Sequence, residues 1–360
     1  MRKVFFASLV LILLALFCVS CGNESKPIVP SQTSAFAFLR ESSTANQFIP
    51  VLGKFVTTGN NIVFTATEVK DPSTGEVVNA HMWSIVLSAK GDKVLLDLWG
   101  GTVDHPSEQW DIWVGNADGT GLVQVTNDSY QDLMPQFSPD GTKVVYNSYR
   151  GCDVFCGEFI VVRNVDGTGE QVLPLLVGTE NTWAPTFSPD GSKIAVEIWG
   201  YNETLGEFDG IFTMNTDGTN QQMITNPWAE ADVWDEMPSF TKDGSKIVFN
   251  RVDYSSESRV ENVFIMNADG SNVTMLTDNK GYNLDPLILG DMILLNSNRD
   301  DTASGSGGYE IYRMNLDGSN FTRLTSNALF DGFCIDRYVS ELAGAAQHLE
   351  HHPAKSMHHR

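Results

Sequence analysis

Short apolar runs bounded by turn-forming residues recur along most of the chain. Lys143-Val-Val-Tyr-Asn147, Lys193-Ile-Ala-Val-Glu197 and Lys246-Ile-Val-Phe-Asn250 are rich in β-branched and aromatic residues and read as strands. No stretch of the main body sustains the 3.6-residue period of an amphipathic helix. The turn signals repeat as regularly as the strands. Pro135-Gln-Phe137-Ser138-Pro139-Asp140-Gly141-Thr-Lys143 returns at Pro185 to Lys193 and, as Thr241-Lys242-Asp243-Gly244, at Pro238 to Lys246, 50 to 53 residues apart. A second motif, Asn-x-Asp-Gly, runs out of phase with it and begins at Asn116, Asn164, Asn215, Asn267 and Asn315.

Each motif has a mechanical meaning. In Ser-Pro-Asp-Gly, proline presets φ at the second turn position, aspartate bonds its own backbone and glycine accepts the left-handed conformation. Each repeat therefore holds four antiparallel strands, A to D, with tight turns joining A to B and C to D. Four short strands repeating at about 50 residues predict an all-β fold, a six-bladed β-propeller. Five blades come from the middle of the chain, their A strands starting near Trp83, Met134, Ala184, Met237 and Asp285 and the last blade ending at Thr325. Residues 35–40, 48–52 and 62–67 supply strands B, C and D of a sixth. Its A strand is expected at Gly332 to Asp336, so that N-terminal strands pair with a C-terminal one and the ring has no open edge.

The Phe-Ser-Pro-Asp-Gly-x-Lys and Met-Asn-x-Asp-Gly-[Ser/Thr]-Asn signatures resemble those of the TolB-like propellers, over roughly residues 35–336. These motifs are specific to the fold and say little about the task it performs. Ahead of it, Met1-Arg2-Lys3 and the apolar run Val4 to Val19 have the form of an export signal. The run ends in Leu16-Phe-Cys18-Val-Ser-Cys21-Gly22, which resembles a bacterial lipobox with Cys21 as the lipidated residue, and Gly22 then implies the outer membrane, periplasmic or surface facing. The expected division is a signal over 1–21, a linker over 22–34, the propeller over 35–336 and an irregular tail over 337–360.

Composition narrows the partners. With 23 Lys+Arg against 45 Asp+Glu the net charge is −22, which repels phosphate backbones and argues against nucleic acid. Cys152 and Cys156 are spaced for a disulfide in an oxidising compartment, with no further ligands nearby for zinc.

Candidate chemistry falls into two groups. The B–C and D–A connections form the loop-rich face, where rigid scaffolds usually carry binding sites. They bring Trp99, His105, Trp110, Tyr149, Arg150, Tyr201, Trp228, Trp234, Tyr254 and Arg299, residue types that anchor protein partners. Equally, Trp99, Trp110 and Trp199 are placed to cover the ends of the core. The second group, Asp132, Asp235, Glu236, Asp285 and Asp331, recurs just before strand A and is expected at the channel mouth. There the acids would hold calcium, take a basic peptide segment, or simply cap turns.

The chain lacks a Gly-x-Ser-x-Gly elbow, and only His81 and His105 lie in the propeller, unlike the several-histidine metal site of oligogalacturonate lyases. The sequence reading is a monomeric, non-catalytic scaffold for an envelope protein or glycan, without cofactor. Its alternative is a carbohydrate-active enzyme using the channel-mouth carboxylates.

Overall fold

The computed structural model describes residues 32–41, 48–58, 61–68, 82–99, 109–117, 120–150, 158–175, 179–204, 206–229, 232–255, 259–300, 308–326 and 331–332. Apart from one short 3-10 turn at Pro227–Ala229, their regular structure is strand. No helix among them is long and apolar enough to cross a membrane. Cys21, His105, Cys152, Cys156 and the tail over 337–360 lie outside the described residues.

The chain begins with β1 (Gln32–Glu41), β2 (Phe48–Thr58) and β3 (Asn61–Glu68). A first complete sheet follows: β4 (Met82–Leu87), β5 (Lys93–Trp99), β6 (Trp110–Asn116) and β7 (Val123–Gln124). The next comprises β8 (Gln131–Phe137), β9 (Lys143–Tyr149), β10 (Glu158–Asn164) and β11 (Gln171–Val172). The third is β12 (Thr179–Phe187), β13 (Lys193–Asn202), β14 (Gly206–Asn215) and β15 (Gln222–Met223). The fourth is β16 (Val233–Phe240), β17 (Lys246–Asp253), β18 (Val260–Asn267) and β19 (Thr274–Met275). The fifth is β20 (Asn283–Leu289), β21 (Met292–Ser297), β22 (Glu310–Asn315) and β23 (Thr322–Arg323).

A further four-stranded sheet is composite. β24 (Asp331–Gly332) pairs antiparallel with β1, Arg40 opposite Asp331 and Leu39 opposite Gly332, giving the order β24-β1-β2-β3. The expected closing strand over 332–336 is thus met at its first residue and begins one position earlier. Around the centre β4 packs on β8, β8 on β12, β12 on β16 and β16 on β20, while β1 touches both β4 and β20. This is the arrangement of a β-propeller.

Both turn motifs act locally. At the first, Ser138 Oγ donates to Asp140 Oδ1 at 2.6 Å, the Lys143 amide donates to Ser138 Oγ at 2.9 Å, and Gly141 sits at φ +74°. At the second, Asp217 Oδ1 accepts the amide of Thr219 at 2.9 Å and its hydroxyl at 2.6 Å. The Leu-Thr or Ile-Thr pair that closes most repeats has its own task. Thr225, Thr277 and Thr325 accept the amides of Ile211, Val263 and Ile311 through Oγ1 at 2.9 to 3.1 Å, securing strand C to the end of strand D.

The apolar core lies between neighbouring sheets. Phe208, Phe212 and Met214 of β14 cluster with Val145, Ile160 and Val162 of the preceding sheet, each such side chain contributing roughly 1.5–3 kcal/mol by leaving water. The A strands differ from expectation in one respect. They begin about three residues before Met134, Met237 and Asp285, and these residues, with Ala184, lie inside them at φ of 48 to 55°, each followed by proline and each at a register shift. The bulge breaks the two-residue alternation, so the pattern shows a strand start where the pairing continues on both sides.

Candidate functional site

The innermost strands enclose a central cavity of about 240 Å³, lined chiefly by apolar groups including Ala37, Ile85, Met134, Pro135, Met237 and Pro286. Of the five acids expected at its mouth, Asp285 alone lines it, with Oδ2 accepting from Asn296 Nδ2 at 2.6 Å. The other four do not converge on the channel. Asp132, Asp235 and Asp331 occupy equivalent places near the start of an A strand, opposite Ser148, Arg251 and Arg40 respectively, and all three are fully buried. Glu236, one residue beyond, accepts from Asn250 Nδ2 at 3.3 Å.

Two of these acids are locked in ion pairs. Arg251 donates to Asp235 through Nε at 2.6 Å and Nη2 at 2.7 Å, and Arg40 donates to Asp331 at 2.8 and 3.0 Å. Burial works against the Arg251 charge, but the hydrogen bonds and charge of Asp235 outweigh it and raise the guanidinium pKa. Among the described residues no group of three or more His, Cys, Asp or Glu is arranged to hold a metal ion. The Asp-Gly turns offer none either, since their carboxylates are taken by neighbouring hydroxyls and amides; at Asp190 the Ser188 hydroxyl leads in lowering the pKa to about 2.

The aromatic residues of the loop face divide by burial. Trp110 and Tyr149 are half-buried against the apolar cluster around the channel, where Trp199 and Trp183 are buried. Trp99, 39% exposed, meets Trp110 edge-on at 5.4 Å. Arg150 lies over Tyr130 and pairs with Glu170 at 2.9 Å, and Arg299 lies over Phe321 and pairs with Asp278 at 2.6 Å; both cations are tied to their own blades. Tyr201, at 55%, is the most exposed of the described residues in the predicted set.

Trp228, Trp234 and Tyr254 come together. Trp228 stacks on Trp234 with centroids 6.2 Å apart and an interplanar angle of 26°, and Trp234 meets Tyr254 at 4.6 Å. The row continues through Arg259, whose guanidinium lies 5.7 Å from the Tyr254 centroid and 5.4 Å from that of Tyr282, and which pairs with buried Glu261. Trp228 comes from the Pro227–Ala229 turn, Trp234 from β16 and Tyr254 from the residue after β17, so three successive elements build one surface.

Arg259 and Tyr282 were not among the residues expected there; neither stands in a recognisable motif. A second missed set is internal. Asp97, Asn147, Glu197, Asn250 and Asn296 close the apolar run of five successive B strands and are all buried. Asp97 Oδ2 accepts the Met134 amide at 3.0 Å, Asn147 Nδ2 donates to the Thr182 carbonyl at 2.7 Å and Asn250 Oδ1 accepts the Asp285 amide at 3.4 Å. These three tether the inner strand of the next sheet. The polar residue ending a Lys-x-x-x-polar run was the signal in four of the five, Asn296 ending the matching run from Met292.

Residues 102–260 match the family described as the TolB beta propeller domain. The solved structure of TolB from Acinetobacter baumannii superposes with a TM-score of 0.58 at 14% identity, over 82% of this chain and 65% of that one. The fold is that of a TolB-like β-propeller. A TolB-designated protein of Agrobacterium tumefaciens gives a TM-score of 0.56 at 16% identity, over 84% of this chain and 92% of its own. An uncharacterized protein of Agrobacterium fabrum is 34% identical over 93 residues, covering 24% of this TolB-like chain and 31% of the relative. The chain therefore spans about a third of that relative's length and just under two thirds of the Acinetobacter protein.

Proposed function

We propose that this TolB-like propeller is a non-catalytic binding scaffold of the cell envelope, anchored to the outer membrane through lipidated Cys21 and docking an envelope protein on its loop-rich face. The single observation that carries the reading is the row Trp228–Trp234–Tyr254–Arg259 on a rigid sheet framework. Aromatic side chains offer large contact area at low entropic cost, and Arg259, already held by Glu261, adds a fixed donor. The fold supports the envelope setting, and the −22 charge favours a partner that is not itself acidic.

The carbohydrate-active alternative needs two carboxylates facing one substrate. Asp285 lines the channel while Asp235 and Asp331 are held by arginines, so no specific pair favours it.

The test is capture of envelope proteins on the mature, monomeric domain against a Trp234→Ala/Tyr254→Ala variant with an unchanged melt. A protein retained by the wild type and lost by the variant supports docking on this face. Equal retention by both, or none by either, overturns it. The anchor is tested separately: Cys21→Ser should move the protein from the membrane to the soluble envelope fraction.

A further inference from the structure

Asp132, Asp235 and Asp331 share one place in three sheets, yet only two have a guanidinium opposite them. Ser148 stands where Arg251 and Arg40 stand. Asp132 is fully buried, and neither of its oxygens meets a donor at hydrogen-bond geometry. Around it the Tyr146 hydroxyl, Arg150 Nη2 and Arg163 Nε are also buried without a hydrogen bond, Arg150 Nη2 facing Asp128 Oδ2 at 3.8 Å. Buried polar atoms are normally paired, and so many unpaired in one place mark a functional or strained site.

The seam lies between the β4–β7 and β8–β11 sheets. From the first sheet come Asp111 on β6, Asp97 on β5, and Thr126 and Asp128 after β7. From the second come Tyr146 and Ser148 on β9, Arg150 beyond it, Arg163 on β10 and Glu170. Both arginines are engaged elsewhere. Arg150 donates to Glu170 at 2.9 Å and to Ser148 Oγ at 3.0 Å, while Arg163 donates to the Val125 carbonyl at 3.1 Å and to Asp128 at 3.4 Å, and pairs with Glu170. The acids outnumber the bases, so an ionised Asp132 is poorly compensated; protonated, it is neutral.

We propose that Asp132 is a proton-binding site that holds this seam closed when protonated and loosens it when the proton leaves. Burial, and then the charge of Asp128, push its pKa up to about 7, against a weaker opposing pull from the Ser148 and Thr126 hydroxyls and Arg150. Asp97, bonded across the seam to Met134, is pushed to about 6 by burial and titrates with the same sign. A folded pKa raised above the unfolded value contributes stability that is complete in acid and lost as pH rises through the folded pKa. The seam is therefore tighter at pH 5 than at pH 8. Asp235 is raised by burial as well, but there the hydrogen bonds and charge of Arg251 oppose the shift.

The experiment is carboxyl-carbon NMR of the full mature protein, with hydrogen exchange of the β8 amides. The Asp132 carbon should titrate near neutrality. The β8 opening constant should rise by about tenfold per pH unit between roughly pH 6 and 7, beyond the intrinsic base catalysis of exchange, because opening releases the Asp132 proton, and more steeply between roughly pH 5 and 6, where Asp97 releases a second. Asp132→Asn should abolish most of that rise and Asp97→Asn the smaller remainder. An Asp132 carboxyl already ionised at pH 5, or an unchanged rise in Asp132→Asn, overturns the proposal. The NMR titration decides even if the variant fails to fold.

Discussion

Asp235 and Arg251 face each other across β16 and β17 and are joined by two parallel hydrogen bonds of 2.6 and 2.7 Å, the carboxylate fully buried. Removing one partner of such a pair strands the other charge. Arg251→Leu should lower stability by about 3–5 kcal/mol. The loss should shrink on acidification, as Asp235 becomes neutral. Denaturant titration at pH 5 and pH 8 measures both.

Asp97 accepts from the Ser84 amide, from Ser84 Oγ at 2.8 Å and from the Met134 amide at 3.0 Å. Asp97→Ala leaves two buried amides and a hydroxyl without acceptors and should cost more than Asp97→Asn, which keeps one oxygen. A difference of about 1–3 kcal/mol is expected from the unsatisfied groups. Comparing the two variants by urea unfolding checks it.

Thr325 Oγ1 accepts the Ile311 amide at 2.9 Å in a buried setting. Thr325→Val keeps the shape and removes the acceptor, so stability should fall by about 1–3 kcal/mol. Thr325→Ser, which keeps the hydroxyl, should lose less in the same melt.

The exposed turn carboxylates Asp140, Asp190 and Asp243 have pKa values lowered to about 2, in each case chiefly by the hydroxyl of the preceding Ser or Thr. A depressed pKa means stability present above the ordinary value near 3.8 and lost as pH falls toward 2. Solvent screens these groups, so Asp190→Ala should cost at most about 1 kcal/mol at pH 7. Because these oxygens serve their own turns, chelation of calcium should leave the melting temperature unchanged. A calcium-dependent melt would show a site that the turn chemistry does not provide.

The turns were legible because their cause is local: Pro139, Asp140 and Gly141 set the backbone within four residues. The pairing of β24 with β1 was legible as well, since three N-terminal strands needed a fourth. The acids were harder. Asp132, Asp235 and Asp285 all precede or occupy the same bulge, but a two-residue step between Asp285, at the bulge, and the place held by Asp235, ahead of it, decides which carboxylate reaches the channel and which turns to its neighbouring strand. Sequence spacing around an irregular bulge does not carry that orientation. Likewise Arg259 joins Trp234 and Tyr254 only through the folded placement of β16 and β17.

The sequence by itself determined the repeat, the all-β class, the turn chemistry and the strong negative charge, because each rests on interactions within a few residues or on composition. Tertiary structure alone decided that Arg251 and Arg40 neutralise two acids while Asp132 faces Ser148, and that Trp228, Trp234 and Tyr254 form one row. Those outcomes depend on cross-strand register and on contacts between sheets, and the physical cause is that burial makes a charge depend on whatever the neighbouring strand places opposite it.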